Sequence, residues 1–163
     1  MAVAREPAST FQPAPEGLHL AVCCDEIDLG EVATPWGSVP MAELRWLLEA
    51  VNPDTGRRFE VRRRYRLSLH RKANLRRDLE LWRGRGFSSE ELKGFDLERV
   101  VGIPCQVQVQ HHASDDGEAV YANVTAVLPA PPGQEVRPPT NYVRVRDRER
   151  SQATQPKVSD VPF

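Results

Sequence analysis

Across residues 42–51 and 58–70 the apolar positions recur with a period of two. Residues 18–33 run apolar-rich and long, with a glycine at position 30, which predicts a long first strand carrying a bend or bulge. A turn follows at Thr34-Pro35-Trp36-Gly37. Residues 42–51 then alternate, with Leu44, Trp46, Leu48 and Ala50 on one face and Glu43, Arg45, Leu47 and Glu49 on the other. In the turn Asn52-Pro53-Asp54-Thr55-Gly56, proline presets φ and glycine accepts a positive φ. Residues 58–70 form the clearest strand. Phe59, Val61, Tyr65, Leu67 and Leu69 share one face, interrupted by Arg63, while Glu60, Arg62, Arg64, Arg66, Ser68 and His70 share the other.

The period then changes. Leu75, Leu79 and Trp82 fall at helical spacing, and Gly84 and Gly86 close that helix. Ser88 followed by Glu91 is a capping-box pattern, and Asp96 caps a further helical turn running through Val100 to Gly102. Residues 103–111 return to strand, and Asp115-Asp116-Gly117 turns the chain into a last strand over 118–128. Three strands, a helix and two strands, in that order, are the arrangement of an OB-fold. That fold is a five-stranded Greek-key barrel whose second and third strands face nucleic acid. The expectation is therefore an all-β, five-stranded OB-fold barrel with a helical insertion between strands 3 and 4.

Charge sharpens this picture. The 163 residues have a formal net charge of -1, which hides a strong segregation. Residues 1–56 carry two basic and nine acidic side chains, whereas residues 57–85 carry twelve basic and three acidic. So local an excess is the footprint of a polyanion partner, and it falls on the third strand. Arg62, Arg64 and Arg66 lie on one side of that strand about 7 Å apart, close to the phosphate spacing of an extended single strand. Arg57, Arg58, Arg71, Lys72, Arg76 and Arg77 lengthen the basic surface, and Arg45 joins it from the preceding strand. Trp36, between Pro35 and Gly37, is the candidate base-stacking platform; Trp46 and Tyr65 lie on apolar faces, where a core role competes with stacking. Trp82 reads as a core anchor.

Proline marks the edges of the domain. Three of the 14 prolines lie in residues 1–16 and seven in residues 129–163, and both stretches are poor in large apolar side chains. The expected organisation is a flexible segment 1–16, a nucleic-acid-binding domain 17–128 and a disordered Pro-rich tail 129–163. Glu6 and Pro7 stand where a signal peptide needs an apolar stretch, and no run approaches the roughly 20 apolar residues of a membrane span. Three cysteines, two of them adjacent, make no disulfide framework, so a cytoplasmic setting is expected. Cys23-Cys24 and His111-His112 lack zinc-ligand spacing, and no GxxxxGK[ST], GxSxG or HExxH motif occurs. Neither a catalytic activity, a metal nor a cofactor is expected.

The chain ends Ser159-Asp160-Val161-Pro162-Phe163. This resembles the tip of bacterial single-stranded DNA-binding proteins, which end in acidic residues followed by Ile or Leu, Pro and Phe. The resemblance implies that Asp160, Val161, Pro162 and Phe163 dock replication or repair proteins, although Asp160 is the only aspartate where those tips carry several. The run from Leu75 to Arg85, Glu90-Glu91-Leu92-Lys93-Gly94-Phe95-Asp96-Leu97 and Tyr121-Ala122-Asn123-Val124 is similar to proteins of tailed-bacteriophage replication modules. That likeness implies a single-strand binder acting in DNA replication or recombination, in the bacterial host cytoplasm, as a monomer or an oligomer. The expected function is thus sequence-tolerant protection of single-stranded DNA with partner recruitment through the tip. An RNA-binding OB module, or an adaptor acting mainly through its tail, are the alternatives.

Overall fold

The computed structural model describes residues 2, 4 and 12–148. Five strands form one antiparallel sheet in the order β3-β2-β1-β4-β5: β1 (Gly17–Thr34), β2 (Gly37–Val51), β3 (Arg58–Arg66), β4 (Pro104–Ala113) and β5 (Val120–Pro129). Between β3 and β4 lie α1 (Asn74–Arg83), α2 (Ser89–Lys93) and a 3-10 turn, Leu97–Val100. The fold is therefore mostly β with few helices. Among the described residues no ladder joins β3 to β5, so the sheet is not hydrogen-bonded into a closed barrel.

Side-chain alternation places the core. Leu44, Trp46 and Leu48 of β2 and Phe59, Val61 and Tyr65 of β3 turn inward, meeting Ala21 and Cys23 of β1 and Cys105, Val107 and Val109 of β4. Leu75, Leu79 and Trp82 of α1 close the core at the helical spacing read from the sequence. Trp82 packs its ring 6.3 Å from that of Trp46 and donates its indole N–H to the Pro104 carbonyl at 3.0 Å, so its polar edge is satisfied in a buried place. Gly84 ends α1 in the left-handed region, at φ 73°, with its N–H on the Glu80 carbonyl. The capping box of Ser88 and Glu91 is formed on both sides.

Arg63 explains the open seam. It sits on the inner face of β3, bridges to Asp78 of α1 at 3.2 Å and donates to the Val124 carbonyl of β5 at 3.0 Å. The Tyr65 hydroxyl donates to the same Asp78 at 2.7 Å. A buried polar cluster thus occupies the space where β3 and β5 converge, and a side chain rather than a ladder connects the two edges.

Three boundaries differ from expectation. β2 begins at Gly37 rather than at residue 42, so β1 and β2 form a hairpin that runs on past the end of β3. Gly30, at φ 66°, makes the expected bulge in it, its N–H held by the Asp28 carboxylate at 2.8 Å. Second, the tail does not begin where the prolines suggest. Residues 130–148 run back across the outer face of the sheet, where Val136 and Tyr142 cover Val22, Cys24 and Leu47. This corrects the expectation of a disordered segment from 129: a few well-placed side chains outweigh the proline-rich composition. At the other end Ala14 is buried and its carbonyl meets the His111 ring, so ordered packing also starts before Gly17.

Candidate nucleic-acid interface

β3 presents Arg62, Arg64 and Arg66 on its outer face because Val61, Arg63 and Tyr65 are turned inward. All three are exposed. Arg62 and Arg66 form no ion pair among the described residues, and Arg64 is 3.3 Å from Glu43 while its side chain remains 63% exposed. Register explains that contact, since Glu43 of β2 lies opposite Arg64. Beyond β3 the chain turns through Ser68 to Ala73, and this loop carries the exposed Arg71 and Lys72. Arg64, Arg66, His70 and Lys72 surround an open cleft of about 620 Å³ floored by Met41 and Tyr65. Cations of β3 and of the following loop converge here on the same space.

The other expected contacts divide. Arg57 is exposed at the far end of β3, and Arg71, Arg76 and Arg77 border a second cleft on the outside of α1. Three arginines, however, serve the fold. Arg45 is held between Glu43 at 2.7 Å and Glu60 at 3.4 Å. Arg58 donates to the carbonyls of Leu48, Leu47 and Arg137, and burial lowers its pKa. Arg76 is bound to Glu80 at 2.7 Å and to the Leu69 carbonyl. Arg77 leans on Asp78 at 3.3 Å with half its side chain in solvent. Desolvated and already paired groups offer little to a phosphate.

Trp36 stands apart from this surface. It occupies the tip of the β1–β2 hairpin and is 90% exposed, with Thr34 and Gly37 closing the turn around it. Trp46 and Tyr65 are core residues. No exposed aromatic ring borders the cleft at Arg64, Arg66 and Lys72.

The returning segment reshapes the site. It covers the outer face of β1 and β2 around Val22, Cys24 and Leu47 and meets the start of β3 at Arg58, leaving Arg62, Arg64, Arg66 and the loop after them open. It also brings cations that composition had assigned to a disordered tail. Arg148 borders a cleft with Arg57 and Arg58, and Arg146 is 62% exposed while lying 3.6 Å from Glu98. A short apolar and basic alternation, Tyr142-Val143-Arg144-Val145-Arg146, was the available signal for a packed segment.

Other chemistry is thin here. Cys23, Cys24 and Cys105 are free and buried, with burial pushing the Cys24 thiol up to about 12. No group of three or more metal-ligating side chains forms among the described residues. No helix among them is long and apolar enough to cross a membrane. Asp160, Val161, Pro162 and Phe163 lie outside the described residues. No protein-family model matches the chain, and no curated protein is significantly similar to it.

Proposed function

We propose that this chain is a non-catalytic, sequence-tolerant single-stranded DNA-binding protein built on an OB-type barrel. The observation that carries the reading is the outward row Arg62, Arg64, Arg66, continued by Arg71 and Lys72, with most of its charge left unpaired. Strand order supports the fold assignment. β3-β2-β1-β4-β5 with a helix after β3 is the order expected of an OB barrel opened at its β3–β5 seam, and Arg63 spans that gap.

The covered outer face of β1 and β2 confines the strand to the β3 edge and the loop after it. Phosphates follow the arginine row, and the cleft over Met41 and Tyr65 takes a backbone turn or a base edge. Binding of this kind is electrostatic and reads no sequence. The Asp160-to-Phe163 tip serves partner recruitment in replication or recombination, on its resemblance to bacterial tips.

Titration of the full chain with labelled single-stranded DNA, single-stranded RNA and duplex of equal length tests the reading. Preference for single-stranded DNA, weakened in Arg62→Ala/Arg66→Ala, is the expected result. Equal or tighter RNA binding favours the RNA module instead, and no binding to any of the three at low salt overturns the assignment.

A further inference from the structure

The β1–β2 hairpin is an arm with a Trp at its end and no work inside the fold. The last pairing of β2 with β3 is at Met41, so from there to Trp36 the hairpin extends as a two-stranded ribbon for about 16 Å. Residues 27–41 contain Asp28 and Glu31, both exposed, and no Lys or Arg. An acidic arm is badly suited to approach a phosphate backbone. It suits a basic surface.

Such a surface exists on the same chain. Trp82, Phe95, Val100 and Ile103 line an open pocket of about 420 Å³ with Arg85 and Arg99 at its border. Glu135 is the one acidic side chain on its wall. Ile103 is 46% exposed there, an uncovered aliphatic side chain beside aromatic rings and guanidinium groups. An open apolar pocket rimmed by guanidinium groups is the kind of place where a partner's Trp becomes an interface anchor.

We propose that the Trp36 arm of one copy inserts into this pocket on a second copy. The arm cannot reach its own pocket. Ile103 hydrogen-bonds Cys23 at 3.2 Å, so the pocket wall lies beside the middle of β1. Thr34, the end of β1 beside the tip, is eleven residues further along that strand, roughly 36 Å away at about 3.3 Å per residue. Trp36 supplies the aromatic anchor, and Asp28 and Glu31 approach Arg85 and Arg99. Each copy then has one arm and one pocket, so the contact is head-to-tail and extends into a row or closes into a ring. It is independent of nucleic acid, and it assigns Trp36 a role other than base stacking.

Sedimentation velocity of the full chain without DNA, over a wide concentration range, tests this. The unaltered protein is expected to self-associate, and Trp36→Ala to weaken association by at least about tenfold. Arg99→Glu/Ile103→Asp, altered at exposed pocket positions, is expected to weaken it equally, with circular dichroism checking that both variants are folded. Mixing the two is decisive. One variant retains a pocket and the other an arm, so the mixture should form a one-to-one dimer and stop there. A monomeric unaltered protein, a Trp36→Ala variant that associates normally, or a mixture that remains monomeric overturns the proposal. So does single-stranded DNA binding that quenches Trp36 while the protein stays monomeric, which returns Trp36 to base stacking.

Discussion

Arg144 donates from Nε to the Asp25 carboxylate at 2.5 Å, across 119 positions of sequence. Asp25 is 1% exposed on β1, and its other partners are the Tyr142 hydroxyl at 3.2 Å and the Val145 N–H at 2.8 Å. All three come from the returning segment. Arg144 also grips Glu98 with both terminal nitrogens, at 2.6 and 2.9 Å. The buried carboxylate is tolerable only because residues 142–145 satisfy it, so this part of the tail belongs to the folded domain.

Arg144→Ala removes the charge partner of a buried carboxylate. Breaking such a pair typically costs 3–5 kcal/mol because an uncompensated charge is left behind, and part of the Arg144 contribution is spread to the more exposed Glu98; a loss of about 3 kcal/mol is expected. Urea unfolding monitored by tryptophan fluorescence measures it. A change below about 0.5 kcal/mol, the range of an ordinary surface substitution, would show that the segment is not fastened through Asp25.

Cys24 reports on the same segment. Its thiol lies under Tyr142, with burial holding its pKa up at about 12, so at pH 8 it should react with a thiol reagent only as the segment lifts. Slow labelling of the intact chain and faster labelling of Arg144→Ala are expected. Mass spectrometry of the labelled peptides distinguishes Cys24 from Cys23 and Cys105. Equal rates in the two proteins would contradict a fastened segment.

Acid should loosen it too. The Arg144 hydrogen bonds lower the Glu98 carboxyl from 4.5 to about 2, and Arg146 contributes in the same direction. A depressed carboxyl adds stability above its unfolded value, and that contribution is lost as pH falls from about 4.5 toward 2. Neighbouring Glu26 acts oppositely: burial and the nearby Glu98 and Asp96 raise its pKa, while Arg144 pulls it down. Protonation of Glu26 therefore offsets part of the loss. Denaturation midpoints from pH 5 to pH 2 should fall less steeply in Glu98→Gln than in the unaltered protein. Parallel slopes would remove Glu98 from the account.

The tryptophans of the helix and of the hairpin, Trp82 and Trp36, should separate in stability. Trp82→Ala opens a cavity against Trp46 and forfeits the bond to Pro104, for a loss of about 3–5 kcal/mol. Trp36→Ala, at a solvated turn, should change stability by less than about 0.5 kcal/mol. Thermal denaturation of both variants checks the contrast.

Local chemistry was readable from the chain because it acts over a few residues. The Ser88–Glu91 box, the Gly84 cap, the Gly30 bulge and the two faces of β3 all follow from neighbours in sequence. What escaped depends on distance. Pro40 is tolerated in β2 because it lies beyond the last β3 rung, where only its carbonyl is engaged, accepting from the Leu67 N–H at 2.9 Å. The mutual pairing of Arg45 with Glu43 and Glu60, and of Arg58 with three carbonyls, becomes visible only once the strands are in register. Asp25, inside the apolar run that precedes it, was the clue to a remote cation, and nothing near it in sequence identified Arg144.

In the proposed binding mode single-stranded DNA lies along Arg62, Arg64, Arg66, Arg71 and Lys72. Measuring the affinity of the full chain for a single-stranded oligonucleotide across a salt series tests it most directly. Five phosphate contacts at about 0.7 each give a slope of log K on log[salt] near -3.5, and Arg64→Ala should reduce it by roughly one contact without altering base preference. A slope near zero, or an Arg64→Ala slope equal to that of the unaltered protein, would contradict the account.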